Sequence, residues 1–214
     1  MLAKWFDTLG ARRYWNGNTH YHRVVLGSLP PDVSRVLDVG CGDGMLAADL
    51  VDAGIPQVVG LDIDQPVLDR ARARHEGRGI EWRQGDLLAT FFEPESFDAV
   101  VSVAALHHMD AARALARCAE LVRPGGTVAI VGLAAYGWSD LPLAAIGTAS
   151  KLVLSVVYGR WSHSAPRCWP PPLTYGEMKR LSARALPGVR YQRHWLNRYS
   201  LVWRKPGQTK EHTP

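Results

Sequence analysis

Glycines and carboxylates alternate in the segment VLDVGCGDG, residues 36–44. The glycines occupy every second position after an apolar run, as Gly40, Gly42 and Gly44. Glycines at this spacing permit a tight turn and let a ligand approach the backbone closely. Asp38 and Asp43 would repel a diphosphate and attract a ligand that carries an amine. The segment therefore predicts a binding loop for a partly cationic ligand, although GDGMLA also fits a dinucleotide motif and leaves an oxidoreductase open.

Further polar residues follow later apolar runs. Asp62 comes about 20 residues after the glycine loop, where a carboxylate can accept hydrogen bonds from both ribose hydroxyls. Asp86, in GDLL, can accept an adenine amino proton. His107 and His108 directly follow SVAAL, and a histidine titrates in the range useful to a general base. These residues predict nucleoside recognition combined with proton transfer.

Apolar segments and amphipathic segments alternate along most of the chain. The apolar segments have the composition of β-strands and occupy residues 35–40, 57–63, 79–86, 97–106 and 126–134. The segments between them space apolar residues as helices do and occupy residues 44–54, 65–75 and 110–122. This alternation predicts an α/β fold with a doubly wound, mostly parallel sheet, whose ligands bind at the carboxyl ends of the strands.

The C-terminal part breaks this alternation. Residues 188–196 and 198–206 are joined by Asn197 without a helix between them, which predicts an antiparallel hairpin. A helix is predicted before it, near TYGEMKRLSARAL.

The ordered segments VLDVGCGDG, GLDID, GDLL, FDAVVSVAALHHM and LVRPGGTVAIV resemble the motifs of class I S-adenosylmethionine-dependent methyltransferases. The resemblance covers roughly residues 34–134. It implies a seven-stranded Rossmann-like sheet, S-adenosylmethionine as the cofactor, and methyl transfer to a small molecule. Helical insertions that act as a lid are expected to add substrate recognition to this shared core.

The resemblance also implies roles for individual residues. Asp38 and Gly40 would lie against the methionine part of the cofactor, and Gly42 and Gly44 would leave room for it. Asp62 would hold the ribose, Ile63 would pack on the adenine, and Asp86 with the Leu87 backbone would read the adenine edge. Further cofactor contacts are expected of Ala104 and Tyr21.

Two roles are open for the histidines. Either His107 or His108 removes a proton from the acceptor, or one caps the following helix while the other packs on the sheet edge. We expect His107 to be the more sensitive to substitution, with His108 capping the helix that begins near Asp110. No carboxylate stands at this strand end, so the sequence predicts no metal ion.

Two segments outside the resemblance are expected to recognise the substrate. Residues 12–30 predict a helix over the cofactor mouth, capped by Asn18 or Thr19, with His20, Tyr21 and His22 on its first turn. The insert 135–172 has an apolar centre, 141–157. This centre is shorter than a membrane span requires, and it carries a charge. A lid or buried helix is favoured, and peripheral membrane contact stays open. The tryptophans that flank this centre are Trp138, Trp161 and Trp169. They suit an apolar or aromatic substrate.

Length and charge frame the remaining expectations. The 214 residues predict a single domain, divided into an N-terminal helical cap (1–33), a cofactor-binding core (34–134), a lid insert (135–172) and a final helix with the hairpin (173–206). Residues 141–214 carry 12 Lys or Arg against two Glu, a local charge of +10. Because these positives are scattered, a basic surface or an acidic small substrate is favoured over nucleic acid.

The cysteines and the first residues bear on location. The three cysteines form no CxxC pair, which favours a reducing compartment over a disulfide framework. The first 17 residues carry charges and aromatics atypical of a signal peptide, so a cytoplasmic location is expected.

The sequence thus predicts methyl transfer to an oxygen or carbon of a hydrophobic or aromatic acceptor. An RNA methyltransferase using the basic C-terminal part, an NAD-dependent oxidoreductase and a non-catalytic cofactor-binding protein stay open as alternatives.

Overall fold

A mixed sheet organises the chain. The computed structural model describes residues 16–137, 140–158 and 170–207. Within them the sheet has seven strands: β1 (Arg35–Val39), β2 (Gln57–Asp62), β3 (Glu81–Gln84), β4 (Phe97–Val103), β5 (Val122–Gly132), β6 (Arg190–His194) and β7 (Arg198–Arg204). Their order is β3-β2-β1-β4-β5-β7-β6, with β1 to β5 parallel and β7 antiparallel to both neighbours. The predicted parallel sheet and C-terminal hairpin are confirmed.

Helices connect and cover the strands. They are α1 (His22–Leu26), α2 (Met45–Asp52), α3 (Gln65–Arg74), α4 (Ala111–Leu121), α5 (Leu141–Tyr158) and α6 (Tyr175–Ala185). Side-chain caps fix where several begin, because they satisfy amide groups that the first turn leaves unpaired. Asp64 accepts from Val67 N at α3, and Thr174 and Glu177 form a reciprocal capping box at α6.

The N-terminal segment departs from the prediction. A 3-10 turn, Thr19–Tyr21, precedes the five-residue α1, and neither Asn18 nor Thr19 caps it as expected. The Asn16 side-chain oxygen accepts from both backbone amides, at 2.7 Å and 3.0 Å. The segment NGN contains two asparagines. The Asn18 side chain accepts from Arg198 instead of capping this turn.

Two strands differ at their ends. The edge strand β3 is four residues long, because only Glu81–Gln84 pair with β2. β5 begins at Val122 rather than Gly126, since Val122 pairs with Phe97 before a bulge shifts the register to Thr127 opposite Ala99. The RPGG segment is therefore part of an irregular strand rather than a turn before it.

Both faces of the sheet are buried, which explains why its central strands are nearly continuous apolar runs. One face, which includes Leu37, Val100 and Ile130, packs against α4 and α6. The other face, which includes Val36 and Ala129, packs against α1 and α2. Burying each large aliphatic side chain contributes about 1.5 to 3 kcal/mol, so the strands form a rigid support for the loops at their ends.

The carboxyl ends of the parallel strands meet at one edge of the sheet. Asp38 of β1 lies opposite Gly60 of β2 and Val101 of β4, so these three strands end at similar heights. Because β7 runs antiparallel to β5, the start of β7 and the end of β6 lie at this same edge.

The apolar centre of the insert is helical and forms α5, on which Ile146, Leu152 and Val153 are exposed. It packs closely on the hairpin turn, since a Cβ added at Gly147 would collide with the backbone oxygen of Trp195. In the described part of the chain, no helix combines the length and apolar character needed to cross a bilayer. Trp138, Trp161 and Trp169 lie outside the described residues.

Candidate functional site

A cavity of about 540 Å³ opens at the carboxyl ends of β1, β2 and β4. Its walls come from the glycine loop, the end of β2, the segment after β3, the segment after β4, and the N-terminal turn. Among the sequence-predicted residues, the cavity is lined by Asp38, Gly40, Gly42, Asp62, Ile63, Asp86, Leu87, Ala104 and His108. Gly44, His107 and Tyr21 do not line it.

The glycine loop is fixed to the neighbouring strand. The amides of Gly40 and Cys41 both donate to the Leu61 carbonyl, at 2.8 Å and 3.0 Å. Gly40 has a φ of 66°, and a Cβ there would collide with the Ala105 Cβ. Gly42 has a φ of 55°, yet a Cβ there would meet no atom of the described residues within 4 Å. Its missing side chain leaves space beside the cavity, whereas that of Gly40 permits packing.

Gly44 serves a different purpose from the one expected. Its φ is 76°, and a Cβ would collide with the indole of Trp82 on β3. Trp82 in turn stacks on His75, whose Nε2 is 3.1 Å from the Asp43 carbonyl oxygen. Gly44 therefore shapes the rear of the loop, on the side away from the cavity.

Asp38 is the least solvated carboxyl group in the cavity. It is 1% exposed, and its Oδ2 atom has no hydrogen-bond partner among the described residues. Burial raises the pKa of Asp38 to about 8, and the charge of Asp62 adds to the effect, opposed by the Ala47 amide. A buried carboxyl with an unused acceptor favours a cationic ligand, which would let it ionise.

Asp43 contrasts with Asp38. Its carboxylate accepts from Arg70 Nε at 3.2 Å and is nearly buried. Because its charge is balanced within the protein, Asp43 has less to offer a ligand. Of the two carboxylates of the glycine loop, Asp38 is the one placed to interact with an amine.

Asp62 joins the glycine loop to the segment that follows β2. Its Oδ2 accepts from Gly42 N at 2.8 Å and its Oδ1 from Asp64 N at 3.0 Å. Each carboxylate oxygen keeps a second lone pair for a ligand hydroxyl. Ile63 beside it is 69% exposed, which is unusual for a large aliphatic side chain and leaves an apolar surface at the cavity wall.

The segment after β3 closes this end of the cavity. Asp86 is exposed, and its Oδ1 accepts from Leu88 N at 2.9 Å. Leu87 is buried. Together they present a carboxylate and an apolar side chain to the cavity, which Ile63 also lines.

The segment after β4 supplies the histidines. Ala104 lies in the left-handed region at a φ of 60°, and its amide donates to Val131 O at 2.8 Å. The backbone then enters a 3-10 turn, Leu106–His108, which directs His108 to the cavity. The expectation that His108 caps the next helix is wrong, because Asp110 accepts from Arg113 N at the start of α4.

His107 is turned into the protein. Its Nδ1 is buried and has no hydrogen-bond partner among the described residues. Burial, with smaller contributions from the charges of His108 and Arg198, lowers the pKa of His107 to about 4. His107 is therefore neutral at neutral pH and separated from the cavity by its neighbour, with the two rings 4.1 Å apart.

The N-terminal turn forms part of the cavity wall without Tyr21. Tyr21 is buried, and its hydroxyl accepts from Leu196 N at 3.2 Å, which anchors the turn to the hairpin. His22 does line the cavity, with its Nδ1 2.7 Å from Asp49 Oδ2. Asn18 also lines it, and its Oδ1 accepts from Arg198 Nη2 at 2.7 Å.

Sequence reasoning missed other lining residues. Asn16, Asn18 and Arg113 lie outside the quoted motifs, Met109 ends one of them without a role of its own, and only the fold brings all four to the cavity. The polar cluster NGNT before the predicted helix was the one available signal. Among the described residues, no group of three or more His, Cys, Asp or Glu is arranged to hold a metal ion.

Comparison with known proteins gives consistent similarities. Residues 37–130 match a family described as a methyltransferase domain. The chain is 41% identical over 198 residues to an uncharacterized methyltransferase of Mycobacterium tuberculosis (strain ATCC 25618 / H37Rv), covering 90% of this chain and 98% of that protein. A ubiquinone biosynthesis O-methyltransferase of Stutzerimonas stutzeri is 39% identical over 98 residues, 44% of this chain and 42% of that protein.

A solved structure shares the fold. The S-adenosylmethionine dependent methyltransferase from Mesorhizobium loti superimposes with a TM-score of 0.58 at 20% identity, covering 88% of this chain and 99% of that chain.

Proposed function

The chain belongs to the class I S-adenosylmethionine-dependent methyltransferases, and from that premise we propose that it methylates an oxygen or carbon of an apolar or aromatic small molecule. The observation that carries the proposal is the buried, unpartnered Oδ2 of Asp38 in a cavity of about 540 Å³ at the strand ends. Membership of this family argues against the alternative of an NAD-dependent oxidoreductase.

The residues present fit S-adenosylmethionine. Its ammonium needs an acceptor, and Asp38 offers a carboxyl oxygen that no described residue uses. The open space at Gly42 leaves room for a ligand beside the backbone. A dinucleotide diphosphate would instead place negative charge near Asp38 and Asp62, and the repulsion between these charges would weaken binding.

We assign the remaining cofactor contacts by position along the cavity. Asp62 accepts the ribose hydroxyls, Ile63 covers one face of the adenine, and Asp86 with Leu87 contacts its edge. The exposed surface of Ile63 supports this assignment, because a bound ring would remove it from water. Ala104 contributes backbone to the wall, whereas Gly44 and Tyr21 act by shaping the loop and anchoring the turn.

S-adenosylmethionine, when bound, supplies an electrophilic methyl group whose bond to sulfur breaks as the acceptor atom forms its bond to carbon. The protein holds the acceptor in line and excludes water, which is effective when reacting atoms are about 3 Å apart. Where the acceptor is a hydroxyl, we propose that His108 takes its proton, because this side chain borders the cavity at the end of β4.

Two observations support an aromatic acceptor. The ring of Tyr175 contacts those of Tyr136 and Tyr199, close to the end of β5 and the start of β7. One partly similar relative is named a ubiquinone biosynthesis O-methyltransferase, and the similarity covers 44% of this chain. Both support a hydroxylated ring more than a sugar or a peptide.

An RNA substrate is less well supported. Arg198 is nearly buried, and Arg193 lies over the ring of Tyr175. Lys205 donates to the carbonyls of Ala119 and Val122. These three side chains are largely withdrawn from solvent and offer little to a phosphate backbone.

Calorimetric titration with S-adenosylmethionine, S-adenosylhomocysteine and NAD tests the cofactor. Binding of the first two and not the third is expected. Transfer of a labelled methyl group to a panel of phenols, catechols and quinols, with an RNA pool alongside, then tests the acceptor. Labelling of RNA and of no small molecule would contradict the proposal.

A further inference from the structure

Arg193 on β6 has an unusual environment for a charged side chain. Its side chain is 17% exposed, and its Nε, Nη1 and Nη2 atoms are buried with no well-formed hydrogen bond among the described residues, although a contact with the Tyr191 hydroxyl opposes the burial that raises the pKa of Tyr191. The carboxylate oxygen Oδ1 of Asp140 is 3.8 Å from Nη2, too far for a hydrogen bond. Five N–H donors kept from water with one neutral hydroxyl beside them are costly, which indicates that a charged acceptor is missing.

The surroundings of Arg193 are aromatic and carry few negative charges. The guanidinium lies over the Tyr175 ring, and Tyr191 stacks on Tyr199 with ring centroids 5.7 Å apart. The Tyr199 hydroxyl is also buried without a hydrogen-bond partner among the described residues. A second guanidinium, that of Arg198, donates to Asn18 and to the Asn197 carbonyl, and within the described part of the chain it donates to no carboxylate.

The strand pairing places this cluster at the same edge of the sheet as the cavity. Arg193 pairs with Tyr199 across the hairpin, and Tyr199 pairs with Gly132 of β5. The residue before Gly132, Val131, pairs with Val103, which lines the cavity. A ligand reaching across the ends of β4, β5 and β7 would therefore connect the cavity with Arg193.

We infer that Arg193 binds a carboxylate carried by the methyl acceptor, so that the acceptor is an aromatic acid rather than a neutral ring. This inference rests on the proposed function. A guanidinium presents two parallel N–H groups that match the two oxygens of a carboxylate, and the Tyr199 hydroxyl supplies a further donor. The neighbouring tyrosine rings accommodate the aromatic part of the acceptor.

Asp140 defines a competing role. It stands directly before α5, and its Oδ2 accepts from Gly137 N at 2.8 Å. If Arg193 served only to hold α5 through Asp140, removing Asp140 would lower stability and leave ligand binding unchanged. If Arg193 binds a ligand carboxylate, Asp140→Asn removes a competing negative charge and strengthens binding of an acid by several-fold.

The test uses protein saturated with S-adenosylhomocysteine and two matched probes, 4-hydroxybenzoate and 4-hydroxybenzamide. They differ only in the carboxylate. Calorimetry should show binding of the acid at least about tenfold tighter than of the amide, the ratio expected for a charge-assisted pair. In ¹⁵N-arginine-labelled protein, the acid should shift the Arg193 Nε–H signal, and the amide should not.

Variants identify the residue responsible. Arg193→Gln should abolish the preference for the acid, and Arg193→Lys, which keeps the charge and loses the fork, should retain part of it. Arg190→Gln is the matched control, because Arg190 is exposed on the same strand. Thermal unfolding of each variant establishes that it is folded.

The outcomes separate this inference from the proposed function. Failure to bind S-adenosylhomocysteine would count against the function. Normal cofactor binding combined with equal binding of acid and amide, with binding of neither, or with an unchanged preference in Arg193→Gln would overturn the carboxylate site alone.

Discussion

Asp38 and Asp62 contact the same cavity from adjacent parallel strands, and the charge of Asp62 makes ionisation of Asp38 less favourable. Asp62 is stabilised by two backbone amides, whereas one oxygen of Asp38 has no partner among the described residues. Asp62 is therefore a carboxylate that can accept hydrogen bonds from hydroxyls, and Asp38 is a carboxyl whose ionisation a bound cation would favour.

This arrangement predicts pH-dependent cofactor binding. Because the folded pKa of Asp38 is about 8, binding an ammonium below that pH must expel a proton. Affinity for S-adenosylhomocysteine should rise between pH 6 and pH 8, by at most about tenfold per unit. Calorimetry in two buffers of different ionisation enthalpy should detect the released proton. Asp38→Asn should bind more weakly and show neither effect; a pH-dependent Asn variant would contradict the assignment.

The same raised pKa affects the cofactor-free protein with a definite sign. The folded state keeps a proton that the unfolded chain loses near its ordinary pKa of 3.8, so Asp38 makes folding less favourable as pH rises from about 4 to about 8. Denaturant unfolding should show Asp38→Asn gaining stability over wild type across this range. A difference that is constant with pH would exclude this linkage.

Removing the Asp62 carboxylate should weaken cofactor binding by roughly 1 to 3 kcal/mol, because the ribose hydroxyls lose their acceptor. Part of the loss should come from the glycine loop, since Gly42 N also donates to Asp62. Asp62→Ala can be compared by calorimetry with Asp69→Ala, a control at an exposed position of α3. Unchanged affinity in a folded Asp62→Ala protein would remove this residue from the site.

Alanine at the loop glycines should separate binding from folding. Gly42→Ala, where a methyl group meets no protein atom, should cost roughly 1 to 2 kcal/mol of backbone strain and weaken cofactor binding. Gly44→Ala adds a collision with Trp82 and should lower the unfolding free energy by about 2 to 4 kcal/mol. Gly54→Ala, also at positive φ in open space, is the control for strain alone.

Two comparisons check this prediction. Trp82→Leu should restore part of the stability lost in Gly44→Ala, because it removes the colliding ring. Equal stability of the Gly42 and Gly44 variants would contradict the separate roles given to these glycines.

The histidines should differ in their effect on turnover. His108→Ala should lower kcat by about 100-fold on a phenolic acceptor while barely changing cofactor affinity, because proton removal belongs to the transition state. Activity should return at high pH, where the phenol ionises without help. His107→Ala should have the smaller effect, which reverses the order expected from the sequence. Near wild-type rates for both variants at all pH values would exclude a general base here.

Much of the fold was predictable because local patterns and tertiary structure agree. The glycine loop, the strand-end carboxylates and the alternating segments all lie in periodic sequence. The function of Gly44 was not predictable, because it depends on Trp82, 38 residues later. Tyr21 was misplaced because a short 3-10 turn directs side chains differently from the helix that the pattern predicted. Arg193 and Arg198 resemble surface residues in sequence, and only the hairpin buries them.

The hydrogen bonds from Arg198 to Asn18 join residues 180 positions apart. Tyr21 and Leu196 add a second link of similar span. The contacts that attach the N-terminal turn to the hairpin are therefore among the described contacts with the greatest loop-closure cost. During synthesis, the N-terminal turn and β1 to β5 emerge well before β7, so the turn lacks its anchors on the hairpin until the last strand is made. We therefore expect full affinity for the cofactor only after the last strand has joined the sheet.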